Sequence, residues 1–265
     1  MVITTYQYHL FLMSLTLTSL QHIPLIRHGD NLADIVVHAL QENNIPLQDN
    51  DILVFAQKIV SKAEGRAVNL ATVTPSQRAI ELAQKTEKDA RVVELILQES
   101  NEVLRRRVGA IIVEHKLGFV CANAGIDHSN VAGASASEYV LLLPKDPDRS
   151  AIELRANIEA HTNKKIGVMI IDSHGRAWRN GTVGVAIGIA GIPGLEDLCG
   201  KPDLFGYTLQ VTQVGLADEL AAAASLMMGQ AAEGMPVVHV RGFPYPLREG
   251  ALKELIRPKE QDLFR

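Results

Sequence analysis

The sequence predicts an α+β fold, with mixed twisted β-sheets carrying helices on their outer faces and two interleaved lobes. Three observations predict it. Asp51-Ile-Leu-Val-Phe-Ala56 and Ile166-Gly-Val-Met-Ile-Ile171 are short apolar runs of the kind that form strands covered on both faces. Leu32, Ile35, Val36, Ala39 and Leu40 fall on one face of a helix that must cover a sheet. Gly181 to Gly191 alternates glycine with Val, Ala and Ile, which suits strands packed closely against other backbone.

In chain order, Leu15 to Ile26 alternates as a strand with Pro24 at its edge. Asp30 and Asn31 offer caps for a helix running to about Glu42, and Asn43-Asn44 ends it. After the strand at 51–56, Pro75 opens a helix to about Lys85 and a second runs from Ala90 to Gln98. Ala110–Glu114 and Gly118–Cys121 form a β pair around His115-Lys116-Leu117, and Tyr139–Leu143 is a strand closed by Pro144. Pro147-Asp148 starts a helix to about His161. Tyr207–Gln213 alternates as a strand, Asp218-Glu219 opens an alanine-rich helix to Met228, and Pro236–Val240 is the closing strand. The expected organisation is an extension over 1–14, with Met13 as an alternative start, one domain over 15–242, and a tail over 243–265 with no chemistry assigned.

With 265 residues, the chain has room for one large domain or two modest ones. Hydrophobic residues at 47% and charged residues at 21% are ordinary for a globular protein. Lys plus Arg at 26 against Asp plus Glu at 30 gives a net charge of -4, which argues against a nucleic-acid binder relying on a bulk positive field. Cys121 and Cys199 form neither a disulfide framework nor a zinc cluster, and a reducing cytoplasm is the simplest setting. Met1 to Leu20 lacks the basic region of a signal peptide, and no segment approaches the roughly 20 apolar residues of a membrane helix. The expectation is a soluble protein with no membrane or nucleic-acid partner.

Four stretches carry polar groups suited to chemistry. Cys121-Ala-Asn-Ala-Gly-Ile-Asp-His-Ser-Asn130 follows a β-branched run and sets Asp127, Ser129 and Asn130 close together beside Gly125. An Asx-type turn is the plainer reading of that loop alone. Gln57-Lys-Ile-Val-Ser-Lys-Ala-Glu-Gly-Arg66 places Lys58, Lys62 and Arg66 around Ser61, a cluster able to neutralise phosphates or to face water; Walker A spacing is absent. Asp172-Ser173-His174-Gly175-Arg176 reads as a loop at a strand end with two adjacent hard oxygen donors, suited to two metal ions or to a metal and a phosphate, or to a simple turn. Asp218 and Glu219 at a helix start serve either the helix dipole or a metal beside phosphate-binding amides. Arg105-Arg-Arg107 is assigned no role. The histidines show no His-Glu-x-x-His spacing, and neither a Gly-x-Ser-x-Gly elbow nor a Gly-x-Gly-x-x-Gly fingerprint is present.

Lys58–Arg66, Ala122–Asn130, Asp172–Arg179 and Ala217–Ala224 occur in this order in a known family. The chain resembles the gamma-glutamyl ligases of deazaflavin coenzyme biosynthesis, the coenzyme F-420-0:L-glutamate ligase family, from about Thr18 to Gly242. The resemblance implies a GTP-dependent enzyme that joins L-glutamate to the lactyl-phosphate end of a deazaflavin precursor, using Mn2+ or Mg2+ and K+, as an intertwined homodimer with Gly181–Gly191 at the contact. It implies Asp127, Asp172, Ser173 and Glu219 as metal ligands, with Asp127, Asp172 and Glu219 as the catalytic carboxylates. It implies GTP contacts from Ile23, Pro24, Leu25, Ile26, Ser61, Lys62, Arg66, Asn130 and the helix start at Ala217, Asp218, Leu220, Ala221, Ala222, Ala223 and Ala224. Ile171 and Ser173 flank the Asp where the family more often reads Ser-Asp-Thr, and Lys145 and Gly184 stand where acidic or polar residues are common; these departures bear on acceptor specificity. A two-metal nucleotide phosphohydrolase would use the same carboxylates and basic groups, and GTP turnover indifferent to glutamate marks it. A non-enzymatic nucleotide-binding regulator would bind GTP tightly without turnover.

Overall fold

The computed structural model describes residues 14–128 and 138–264. The chain begins β1 (Thr16–Ser19), α1 (Leu32–Glu42), β2 (Ile52–Ala56), α2 (Gln57–Ala63), β3 (Ala67–Asn69), α3 (Gln77–Thr86), α4 (Ala90–Gln98), β4 (Ser100–Arg107), β5 (Ala110–His115) and β6 (Val120–Ala122). It continues with β7 (Tyr139–Leu141), α5 (Pro147–Thr162), β8 (Gly167–Arg176), β9 (Arg179–Ala190), β10 (Glu196–Asp197), β11 (Gln213–Val214), α6 (Leu216–Met228) and β12 (Val237–Arg241). The fold is α+β with mixed sheets.

A five-stranded sheet in the order β1-β12-β2-β8-β9 is the centre of the molecule. Only β2 and β8 run parallel, in the register Ile52↔Gly167 to Ala56↔Ile171, and the other neighbours are antiparallel. Successive strand residues point to opposite faces, so Leu53, Phe55, Val168 and Ile170 join the apolar cluster beneath α1 and α5 while Ile52, Val54, Met169 and Ile171 join the one beneath α6. Each such fully buried side chain contributes about 1.5–3 kcal/mol. Helix α1 starts where its cap dictates: Asn31 Oδ1 accepts from the N–H groups of Ala33 and Asp34, and the predicted apolar face is the one it buries.

After α2 the chain leaves this sheet. β4, β5 and β6 form an antiparallel sheet, β3 pairs with β7, and α3 and α4 pack with them around a third cluster that includes Ile96, Ile111 and Val113. Phe119 packs against this cluster and against the one under α1. The chain returns through α5.

Several elements differ from the sequence reading. The first strand ends at Ser19, and Ile23–Ile26 is not β-structure. Asp172–Arg176 is not a loop: β8 runs on to Arg176 and pairs with β9 through a turn at Ala177-Trp178, where Trp178 takes a positive φ of 63°. The basic run Arg105–Arg107 belongs to β4, whose pairing with Ala110–Ile112 was hidden by its charge. Tyr207–Gln213 alternates but makes an irregular hairpin, with Leu209 N–H donating to Lys201 O and only Gln213–Val214 as strand. The glycine alternation of β9 has an intramolecular cause: a Cβ at Gly184 would lie 2.5 Å from Ala221 O, and one at Gly188 would lie 2.4 Å from the Pro147 carbonyl carbon. The described part of the tail, 243–264, docks on the body: Phe243, Leu247 and Leu255 pack against the α6-side cluster, Leu252 is buried, and Glu254 accepts from the amides of Gly194 and Leu195.

Candidate active site

Because β2 and β8 are parallel, the carboxyl end of β2 lies beside the stretch of β8 that runs on past Ile171, and polar stretches meet at that end of the sheet. Ala56 is opposite Ile171, so α2 begins beside Asp172. Lys58 and Lys62 are one helical turn apart and share a face. Lys58 Nζ lies 2.6 Å from Asp127 Oδ2. Burial lowers the Lys62 pKa, the neighbouring Lys58 charge lowers it further, and Asp127 opposes both.

Asp127 is held by its backbone as well, exchanging two hydrogen bonds with Leu141 at 3.0 and 2.8 Å. The approach is a tight 3-10 turn at Asn123–Gly125, where Asn123, Ala124 and Gly125 all have positive φ and Asn123 Oδ1 accepts from Ile111 N–H. Gly125 is required twice over, by its φ of +65° and because a Cβ would meet Leu143 Cδ1 at 2.7 Å. Asn130 lies outside the described residues.

The other predicted nucleotide contacts on this side are uneven. Ser61 is fully buried and its Oγ donates to Gln57 Oε1 at 2.9 Å, within α2. Arg66 donates to Leu143 O and pairs with Glu99 at 2.6 Å, so its guanidinium ties α2 to the second sheet region. The residues that follow Ile23–Ile26 lie against the far end of α2, since Gly29 N–H donates to Ala63 O and the His28 ring fills the space a Cβ at Gly65 would need. Ile26 is buried, whereas Pro24 and Leu25 face outward and Leu25 is 87% exposed.

Asp172 and Ser173 are adjacent in β8 and point apart. Asp172 Oδ2 lies 3.0 Å from His174 Nε2, off the line of a hydrogen bond, and His174 in turn packs on Phe119. Burial and then the Asp172 charge push the Cys121 thiol up to about 12. Burial, with His174, Arg66 and Lys116, presses His115 down to about 4 against the pull of Asp172. Asp172 is thus close to the root of the Asp127 loop. Ser173 instead donates to Gln230 Oε1 at 2.9 Å, and Gln230 donates to Ser225 Oγ on α6.

Helix α6 presents two kinds of residue. Ala217, Leu220, Ala221 and Ala224 are buried against the sheet, while Ala222 and Ala223 are half-buried. A ligand would meet the first four through backbone alone. Asp218 Oδ1 accepts from Ala186 N–H at 2.9 Å and anchors the helix to β9; burial raises its pKa, opposed by that hydrogen bond and by His174. Glu219 is exposed.

Among the described residues, no three His, Cys, Asp or Glu side chains stand together as a ready metal site. What the fold does assemble is Asp127, Lys58, Lys62, Asp172 and His174 at one sheet edge. Sequence reasoning placed Lys58 only in a cluster able to neutralise phosphates, without its Asp127 partner, and assigned no role to His174.

Comparisons with known proteins show the family of the chain. Residues 21–242 match the family model described as F420-0:Gamma-glutamyl ligase. The chain is 49% identical over 245 residues to the coenzyme F420:L-glutamate ligase of Methanococcus maripaludis strain C6, covering 92% of this chain and 94% of that protein. Against the protein of that name from Methanothermobacter thermautotrophicus it is 46% identical over 255 residues, covering 96% and 100%, and against the Methanocaldococcus jannaschii one 45% over 245 residues, covering 92% and 94%. The chain belongs to the F420-0:gamma-glutamyl ligase family.

Proposed function

We propose that the protein joins L-glutamate to the deazaflavin precursor F-420-0 by an amide bond, in coenzyme F-420 biosynthesis and at the expense of GTP. A carboxylate oxygen of the acceptor attacks the γ-phosphorus, GDP leaves, and an acyl phosphate forms. The glutamate nitrogen then attacks the acyl carbon, phosphate leaves and the amine gives up its proton. The observation that carries the nucleotide part is the Lys58–Lys62 face beside Asp127, at the end of the sheet where β2 stops and β8 runs on.

Lys62 is the group suited to the phosphates: burial and Lys58 disfavour its charge, and a polyanion would restore it. Lys58 holds Asp127 in place. Asp127, Asp172, Ser173 and Glu219 are hard oxygen donors of the kind Mg2+ or Mn2+ takes, and the cation nearest Asp127 is already an ammonium at 2.6 Å. Asp172 and Ser173 point apart, so they would hold separate ions. Such ions, when bound, neutralise charge developing on the transferred phosphoryl group. The reading includes a potassium requirement, a chain of two interleaved lobes that forms an intertwined homodimer, and a cytoplasmic location; no helix among the described residues is long and apolar enough to cross a membrane.

The test is incubation with GTP, Mn2+ or Mg2+, K+, L-glutamate and F-420-0, read by mass spectrometry. GDP and a glutamyl product, each dependent on glutamate and acceptor, are expected. GTP hydrolysis indifferent to both sinks the ligase reading.

A further inference from the structure

A cleft of about 220 Å³ opens between the end of β8, α6 and the C-terminal segment, lined by Phe119, Val120, His174, Asp218, Leu255 and Arg257. We propose that it seats the incoming L-glutamate, an inference that rests on the ligase reading. Four features support it.

The first is size. The cleft is smaller than the roughly 300–1,000 Å³ of pockets for drug-sized ligands and has room for an amino acid. The second is charge. Arg257 makes no hydrogen bond or ion pair with any described residue, although guanidinium is the group best shaped to hold a carboxylate through two parallel bonds. Asp218 spends Oδ1 on Ala186 N–H and takes no donor at Oδ2 among the described residues, which leaves that oxygen for an ammonium. The third is its apolar wall, where Phe119 and Leu255 can cover the two methylenes of the substrate. The fourth is position. His174 is common to the cleft and to the Asp172 contact, so an amine seated here is beside the edge where the acyl phosphate forms. The C-terminal segment, silent in sequence, becomes a substrate wall.

Arg257→Ala and Val120→Trp test this in the full chain. Val120 is 39% exposed, so the larger ring fills the cleft without entering the core. The KM for L-glutamate should rise at least tenfold in both variants, and less in Arg257→Lys, with the KM for GTP and for the acceptor within twofold of wild type. An unchanged glutamate KM in both, or a rise in the GTP or acceptor KM instead, overturns the assignment. Saturation-transfer NMR with L-glutamate reads the cleft without turnover: transfer to wild type that is lost in Arg257→Ala is expected, and transfer absent from wild type or equal in both overturns it. Failure of the ligase reading shows separately, as no glutamyl product from wild type.

Discussion

Lys58 Nζ and Asp127 Oδ2 are 2.6 Å apart, and through this pair α2 meets the loop that follows β6. The side chains are 29% and 26% exposed, so the pair lies at a surface where such contacts are worth at most about 1 kcal/mol. Its importance is therefore in positioning.

Asp127→Asn keeps the shape and removes the charge. Turnover should fall about a thousandfold, several kcal/mol of barrier, while the melting temperature moves by no more than a few degrees. Rate against metal concentration, with calorimetry as the folding control, checks this. A well-folded variant with unchanged rate and metal dependence would remove Asp127 from the site.

Lys62 makes the opposite trade. Its folded pKa is lowered, by burial first and Lys58 second, so the unfolded chain binds its proton more readily. Stability therefore rises as pH climbs through the folded pKa toward the ordinary value of 10.5, and at neutral pH the charged amine opposes folding. Lys62→Met should raise the melting temperature at pH 7 and weaken GTP binding at least tenfold, by scanning fluorimetry and titration calorimetry. A lower melting temperature would contradict the argument.

Much of this was legible in the sequence, and what was not has identifiable causes. β2, β8 and α1 declared themselves because burial on two faces or on one helical stripe leaves an unambiguous apolar pattern. The extension of β8 through Asp172–Arg176 was not legible: Asp, Ser and Gly are turn formers, and only the pairing with Val183, Gly184 and Val185 makes them strand. Alternation misled at Tyr207–Gln213, where Tyr207 and Val211 are 64% and 86% exposed and no second layer turns the pattern into burial. The candidate site residues were chosen by chemistry and order, and their contacts were not legible. Nothing in Ser61 or Arg66 shows that the hydroxyl serves Gln57 or that the guanidinium serves Glu99.

Gly184 is required by the packing of α6 on β9. It pairs with Ser173, and an added Cβ would sit 2.5 Å from Ala221 O and 2.6 Å from Ser225 Cβ. The helix backbone occupies the place of a side chain. Gly184→Ala should push α6 away, costing about 1–3 kcal/mol by overpacking. Because α6 carries Asp218 and Glu219, turnover should drop along with the denaturation midpoint. A fully stable Gly184→Ala would mean that α6 can shift at little cost.

The last prediction concerns the other end of β2. Asp51 is almost fully buried and accepts two hydrogen bonds from Arg241, at 2.9 and 2.7 Å, one from the His239 ring at 2.9 Å and one from Gln48 N–H at 2.8 Å. Burial works against its charge, but the Arg241, His239 and Gln48 bonds outweigh it and hold the carboxyl well below the ordinary 3.8. A depressed folded pKa gives stability that is complete above the unfolded pKa and lost as pH falls toward the folded one. Asp51→Asn at pH 7 should cost about 3 kcal/mol, the lower end for breaking a buried pair because the Arg241 side chain remains 35% exposed. That corresponds to a fall of about 6 °C or more in melting temperature. The difference from wild type should hold steady from pH 7 to about pH 5 and shrink below about pH 4, as the wild-type carboxylate begins to lose its advantage. Asp51 is at the end of the sheet away from Lys58 and Asp172, so the KM for GTP of the folded variant should match wild type. A difference in melting temperature that persisted undiminished to pH 3 would show that the ion pair is not its source.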